Sequence, residues 1–193
     1  MNRLTRWGAA LVLLPIAACA SNPPAPPAAP PAPPPLAAAD ASFVTAAAQG
    51  GMAEIQAAQL ALSTSKSPKV KAYAQKMITD HTQADDQLKQ IAMSKSVTLP
   101  TAVNDAQMQQ MTTLQGEKGR KFDHDYMVDQ VADHQQQLVL MQTEASGGTD
   151  PDLKKFAADT TPIVQSHLDM ATAMVKGPMH KSTGMHRHHH TTS

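Results

Sequence analysis

Four stretches of about 25 residues each carry an apolar stripe at helical spacing, and each stripe is broken once, near its middle, by an ionisable side chain. In the first, Phe43, Ala47, Gly50, Ala57 and Ala61 lie along a stripe that also holds Glu54, running from Asp40, read as an N-cap, to about residue 63. The second opens at Ser67-Pro68, with proline at the first helical position, and runs to about residue 94; Val70, Ala74, Met77, Ala84, Leu88 and Ile91 flank a gap filled by His81. Met127, Val131, Leu138 and Met141 form the third, from about 120 to 145, with His134 in line, before Ser146-Gly147-Gly148 stops it. The fourth follows Asp150-Pro151 to about 175, with Leu153, Ala157, Val164, Ala171 and Met174 around His167. An apolar side chain returning every seven residues on one helical face is buried only against other helices. These segments therefore predict an all-α, up-down four-helix bundle spanning residues 40–176. A shorter segment, 102–114, carries Val103, Met111 and Leu114, ends at Gly116, and reads as an extra connector helix between the second and third long helices. Aromatic residues are only 3% of the chain, so the core has to be built from Ala, Leu, Val, Ile and Met.

Because Glu54, His81, His134 and His167 each fall near the middle of a helix, a bundle brings them to one height. A charged or imidazole side chain in an apolar stripe costs free energy unless it finds partners. Two readings satisfy that cost. The four residues hold a divalent cation, or they form a buried polar network that fixes helix register as a core Asn does in a coiled coil. Asp80 and Asp133 stand one residue before two of the histidines, about 100° round the helix, where each can accept from a histidine of a neighbouring helix and fix its tautomer; a solvated carboxylate is the alternative for either. Tyr73 precedes Asp80-His81 by the spacing at which Tyr126 precedes Asp133-His134, which gives the second and third helices similar surroundings. Gly50 and Gly51 permit a close helix approach, and Pro162 removes a backbone hydrogen bond one turn before His167.

The ends belong to another part of the problem. Arg3 and Arg6 precede a short apolar run, 8–18, which stops at Ile16-Ala17-Ala18-Cys19; this is the pattern of a lipoprotein signal peptide (1–18) with Cys19 as the lipidated residue. A lipid anchor at Cys19 makes the membrane the expected partner. Ala20, where an Asp would resemble an inner-membrane retention signal, points to the outer membrane with the domain facing the periplasm. Residues 19–39 include the run Asn22 to Pro35, whose composition favours an extended polyproline spacer of about 40 Å. Once Arg3 and Arg6 are removed, 14 basic side chains face 16 acidic ones, a balance with no nucleic-acid footprint. Residues 177–193 form a His- and Met-rich tail, expected to be disordered, in which His180, His186, His188, His189 and His190 are weak candidates for metal capture. The sequence names no protein partner.

The chain also resembles a known family. Ser42-Phe43-Val44 with Gly50-Gly51-Met52-Ala53-Glu54, Val70-Lys71-Ala72-Tyr73-Ala74 leading to Met77-Ile78-Thr79-Asp80-His81, Phe122 to Tyr126 before His134, and Pro162-Ile163-Val164-Gln165-Ser166-His167 are similar to the bacterial domain-of-unknown-function family 4142, grouped with the ferritin-like superfamily. The resemblance covers the whole of residues 40–176 and implies a ferritin-like bundle in an envelope protein, with Glu54, His81, His134 and His167 at its recurrent polar positions. It implies no activity. The two-iron pattern of ferritin-like enzymes needs an E-x-x-H pair on each of two helices, whereas Ile78, Val131 and Val164 stand three residues before the histidines. What the residues suit is one Zn, Fe, Mn or Cu ion on three imidazoles and a carboxylate. No nucleophile with its base, phosphate loop or cysteine redox centre is legible, so the sequence is not read as an enzyme. Besides metal binding, a structural or stress-related envelope interaction module stays open, with the buried cluster serving only as a polar network.

Overall fold

The computed structural model describes residues 34–177, and within them the chain forms five helices: α1 (Ala38–Thr64), α2 (Pro68–Ser94), α3 (Asp105–Gln115), α4 (Gly119–Gly147) and α5 (Pro151–Lys176). Local chemistry sets most of their ends. The Ser67 hydroxyl accepts from the Val70 N–H ahead of Pro68, and Asp150 accepts from the N–H groups of Asp152 and Leu153 ahead of Pro151, so both helices start with a polar cap and a proline whose missing donor costs nothing there. Asn104 and Gln107 close a reciprocal capping box on α3.

One sequence-based expectation about a helix end is corrected. Asp40 does not cap α1, which begins two residues earlier with Ala37 as a cap lacking any side-chain bond. The Asp40 carboxylate is buried and reaches across to the turn before α5, accepting from Thr149 N–H at 3.0 Å, Thr149 Oγ1 at 2.6 Å and Asp150 N–H at 2.9 Å. Burial pushes its carboxyl up, but these three donors outweigh that and hold it below the usual carboxylate range. Asp40 thus latches the start of α1 to the α4–α5 turn.

Short turns make two antiparallel hairpins, α1–α2 and α4–α5, and the hairpins pack so that the order around the bundle is α1, α2, α5, α4. The turn holding Asp40, Lys95 and Asp150 marks one end of the bundle, because Lys95 after α2 pairs with Asp150 at 2.7 Å and Asp152 at 2.8 Å. The connection bearing α3 leaves from that end and returns the chain to the other, so α2 and α4 run parallel across one diagonal and α1 and α5 across the other. All four neighbouring pairs are antiparallel. A single long crossover of this kind is the ferritin-like way of joining two hairpins. α3 lies along the α1–α4 side.

The core is divided by height. Near the Asp40 end, Phe43, Val44, Leu88, Met141, Leu153, Phe156 and Val164 pack together; near the other end Val70, Tyr73, Met77, Leu114, Phe122, Tyr126 and Met127 do so. Each fully buried large side chain contributes about 1.5–3 kcal/mol through burial. Glycines admit close contacts between the layers. A Cβ on Gly51 would collide with Asp85 Oδ1 of α2, and one on Gly50 would lie 2.9 Å from Gln137 Oε1 of α4. α5 passes through Pro162 as one continuous helix. No helix among the described residues is long and apolar enough to cross a membrane.

Candidate metal centre

Between the two apolar clusters lies a polar layer, to which each long helix contributes one of the residues that interrupt its stripe. Glu54, His81, His134 and His167 are all buried, the last two at 0% and 1% exposure. The three imidazoles converge: their ring centroids are 5.3 to 5.7 Å apart, and one ligand nitrogen from each lies within 4.8 Å of the others.

The hydrogen bonds on the outer edges of the rings decide which nitrogens face inward. His134 Nδ1 stands 2.9 Å from the backbone oxygen of Gln130, one turn earlier on α4. A carbonyl oxygen only accepts, so Nδ1 carries the proton and Nε2 is left with a bare lone pair. His167 Nε2 stands 2.7 Å from Asp80 Oδ2 of α2. Burial pushes the Asp80 carboxyl up, but hydrogen bonds from Lys76, at 2.7 Å, and from His167 outweigh it and hold Asp80 below the usual carboxylate range. Asp80 is therefore an anionic acceptor, His167 donates from Nε2, and its Nδ1 is bare. These two bare nitrogens, His134 Nε2 and His167 Nδ1, face each other at 3.3 Å. With both rings neutral there is no proton between them. The third ring adds His81 Nε2, which is buried and has no hydrogen-bond partner.

A proton is a poor occupant of that gap. Burial pushes His134 and His167 down to about 4, against the help of the Gln130 carbonyl for one and Asp80 for the other. His81 is pushed down to about 3 by burial and then by the charges His134 and His167 would carry. All three imidazoles are neutral at pH 7, the form that binds metal. The spacing suits an ion as well: two nitrogens at 2.0–2.1 Å from a tetrahedral metal lie about 3.3 Å apart.

Glu54 joins the layer but not the nitrogen cluster. Its Oε1 lies 3.7 Å from His134 Nδ1, the outer edge of that ring, while Oε2 accepts from Gln130 Nε2 at 2.6 Å. The expected set of three imidazoles and a carboxylate is thus three imidazoles with a carboxylate on the far side of one of them. Burial pushes the Glu54 carboxyl up to about 7, against the Gln130 bond; a cation on the far side of His134 would favour its ionised form.

The two aspartates expected to orient histidines part company. Asp80 does contact a histidine of a neighbouring helix. Asp133 instead points toward α3, where its Oδ2 accepts from Gln110 Nε2 at 2.8 Å, because the helix packed on that side offers Glu54 and no imidazole. Gln130 was not singled out in the sequence, although it occupies an inward position between Met127 and His134; a polar side chain at seam spacing one turn before a seam histidine is the signal that identifies it. Cys19 and the tail histidines His180, His186, His188, His189 and His190 lie outside the described residues.

Comparison with known proteins agrees with this architecture. The family described as "Domain of unknown function (DUF4142)" matches residues 25–174. A crystal structure of a DUF305 fragment from Deinococcus radiodurans superposes with a TM-score of 0.66 at 11% identity, covering 74% of this chain and 98% of that one, a likeness of fold alone. No curated protein matches the chain.

Proposed function

From the premise that this chain belongs to the DUF4142 family, whose description names no activity, we propose that the bundle binds one divalent metal ion on His81 Nε2, His134 Nε2 and His167 Nδ1, and that an N-terminal lipid anchor at Cys19 holds it in the cell envelope facing the periplasm. The observation that carries the metal reading is the pair of bare nitrogens 3.3 Å apart with nothing to bond to but each other. The outer edges are arranged as metal-binding histidines usually are, one on a backbone carbonyl and one on a carboxylate. Three nitrogen ligands suit Zn, Cu, Fe or Mn by donor type. Bound there, the ion would supply a positive charge inside the bundle, which Asp80 and Glu54 offset through the rings of His167 and His134. His81, with its ring centroid 5.7 Å from that of His134 and 5.5 Å from that of His167, would supply the third nitrogen.

Metal analysis of full-length protein purified without a metal-affinity column tests this. The expected result is one ion per chain that resists desalting, lost in His134→Ala, and a melting temperature lowered by chelator; an ion held at 100 times its dissociation constant adds about 2.7 kcal/mol. A polar network with a proton shared between His134 and His167 predicts instead no retained metal and no chelator effect. For the anchor, Cys19→Ser should move the protein from the membrane fraction to the soluble one.

A further inference from the structure

Half a turn about the long axis of the bundle exchanges α2 with α4 and α1 with α5, since the members of each diagonal pair run parallel. Asp80 and Asp133 occupy corresponding places under that rotation, each one residue before the histidine of its helix. Their neighbours across the interface differ. Asp80 meets His167 and accepts its N–H. Asp133 meets Glu54, so two carboxylates stand where the other side has a carboxylate and an imidazole, and neither donates to the other.

A cavity of about 20 Å³ opens between them, lined by Glu54, Gln110, Tyr126, Asp129, Gln130 and Asp133 with apolar neighbours. That is room for a single species of about the size of a water. Two of its lining side chains, Gln130 and Tyr126, are 1% and 0% exposed, and each has an unpartnered oxygen: Gln130 Oε1 and the Tyr126 hydroxyl. The amide of Gln130 is fixed by donating its N–H to Glu54 Oε2 at 2.6 Å, which leaves the oxygen free for something else. Three carboxylates line the cavity and no lysine, arginine or histidine does. A wider polar groove between α1, α3 and α4, bordered by Asn104, Gln107 and Gln137, shares Glu54 and Asp133 with the cavity.

We propose that this cavity is a second cation site, distinct from the imidazole cluster, that takes one hard divalent ion of the Mg²⁺ or Mn²⁺ class on carboxylate oxygens of Glu54 and Asp133 and on Gln130 Oε1. An oxygen-only donor set selects such ions over those that prefer imidazole. Tyr126 lines the same space, and the α3 groove beside it is the route by which a hydrated ion would reach it. The site stands whether or not the three histidines hold a metal, and Glu54, beside His134 on one side and in the cavity on the other, is the residue through which two bound ions would sense each other.

Titration of the full chain with Mn²⁺, read by loss of the free-ion paramagnetic resonance signal in the presence of one equivalent of Zn²⁺, tests it. Wild type should bind one Mn²⁺ per chain, displaced by Mg²⁺. Asp133→Asn should weaken binding by about tenfold or more, since one charged ligand is removed, while Asp159→Asn, an exposed carboxylate of α5 paired with Lys155, leaves it unchanged. If Asp133→Asn does not fold by circular dichroism, Glu54→Gln removes a ligand of the same site at constant shape. Equal Mn²⁺ affinity in wild type and the folded ligand variant overturns the proposal. So does the absence of Mn²⁺ binding to wild type at millimolar concentration, which would leave the cavity a site for one water.

Discussion

Replacing Asp80 with asparagine separates the role assigned to this residue from a merely structural one. Asp80 Oδ2 lies 2.7 Å from His167 Nε2 and 2.7 Å from Lys76 Nζ, with the side chain 20% exposed. The charge-assisted bond to His167 fixes which nitrogen faces the ion, and loss of such a partner lowers metal affinity by about 10–100-fold, equivalent to about 1.4–2.8 kcal/mol. Lys76 already draws on the same oxygen, so the lower half of that range is expected. The effect on the metal-free fold should be smaller. The folded carboxyl is held below its ordinary value, so its contribution is present above about pH 4 and lost as pH falls further; exposure and the shared lysine limit it to about 1 kcal/mol at pH 7. Calorimetric titration with Zn²⁺ and denaturant unfolding of the metal-free protein measure the two quantities separately, and nitrogen resonances of the His167 ring report its tautomer. Asp80→Asn should lose affinity out of proportion to stability and mix the His167 tautomers. An unchanged Zn²⁺ affinity with an unchanged tautomer would rule out this role for Asp80, as would a loss of affinity no larger than the loss of metal-free stability.

Other perturbations probe different parts of the molecule. Burial, and Glu54 beside it, push Asp133 up to about 7, so its protonated form stabilises the fold below the unfolded value near 4 and that stability is lost as pH rises through about 7. Asp133→Asn should therefore gain on wild type by about 1–2 kcal/mol between pH 4 and pH 8 in metal-free denaturant unfolding; a pH-independent difference would contradict it. Gly51→Ala places a Cβ against Asp85 Oδ1, and overpacking less the helix-propensity gain should cost about 1–2 kcal/mol, read as a lower denaturation midpoint; a more stable variant would mean that Asp85 moves aside freely. Deleting residues 178–193 should leave one tightly held ion per chain by elemental analysis, and loss of all metal would assign binding to the tail.

The sequence made the four stripes and the height of their polar residues legible because helical periodicity is a local property: Met77, Leu88, Met127, Met141, Leu153 and Val164 all reappear in the two core clusters. The partners of those polar residues were less accessible. Asp80 and Asp133 have the same local pattern, and only the identity of the next helix round the ring makes one an acceptor for His167 and leaves the other against Glu54. Asp40 has the composition of an N-cap, yet the α4–α5 turn offers it three donors, more than a helix end would, and tertiary contact prevails over local preference. Glu54 sits at the right height, but the bulk of His134 lies between it and the imidazole cluster. Side-chain direction within a layer depends on where α3 and the crossover lie, and no spacing along one helix encodes that.

Three imidazole nitrogens are proposed to share one ion at mid-height in the bundle. Zinc-edge X-ray absorption of the chain lacking residues 178–193, loaded with one equivalent of Zn²⁺ and desalted, measures this directly. About three nitrogen scatterers at 2.0–2.1 Å are expected, with the multiple scattering of imidazole rings, reduced in His81→Ala. A shell of oxygens with one imidazole or none, or zinc that does not survive desalting, would contradict it.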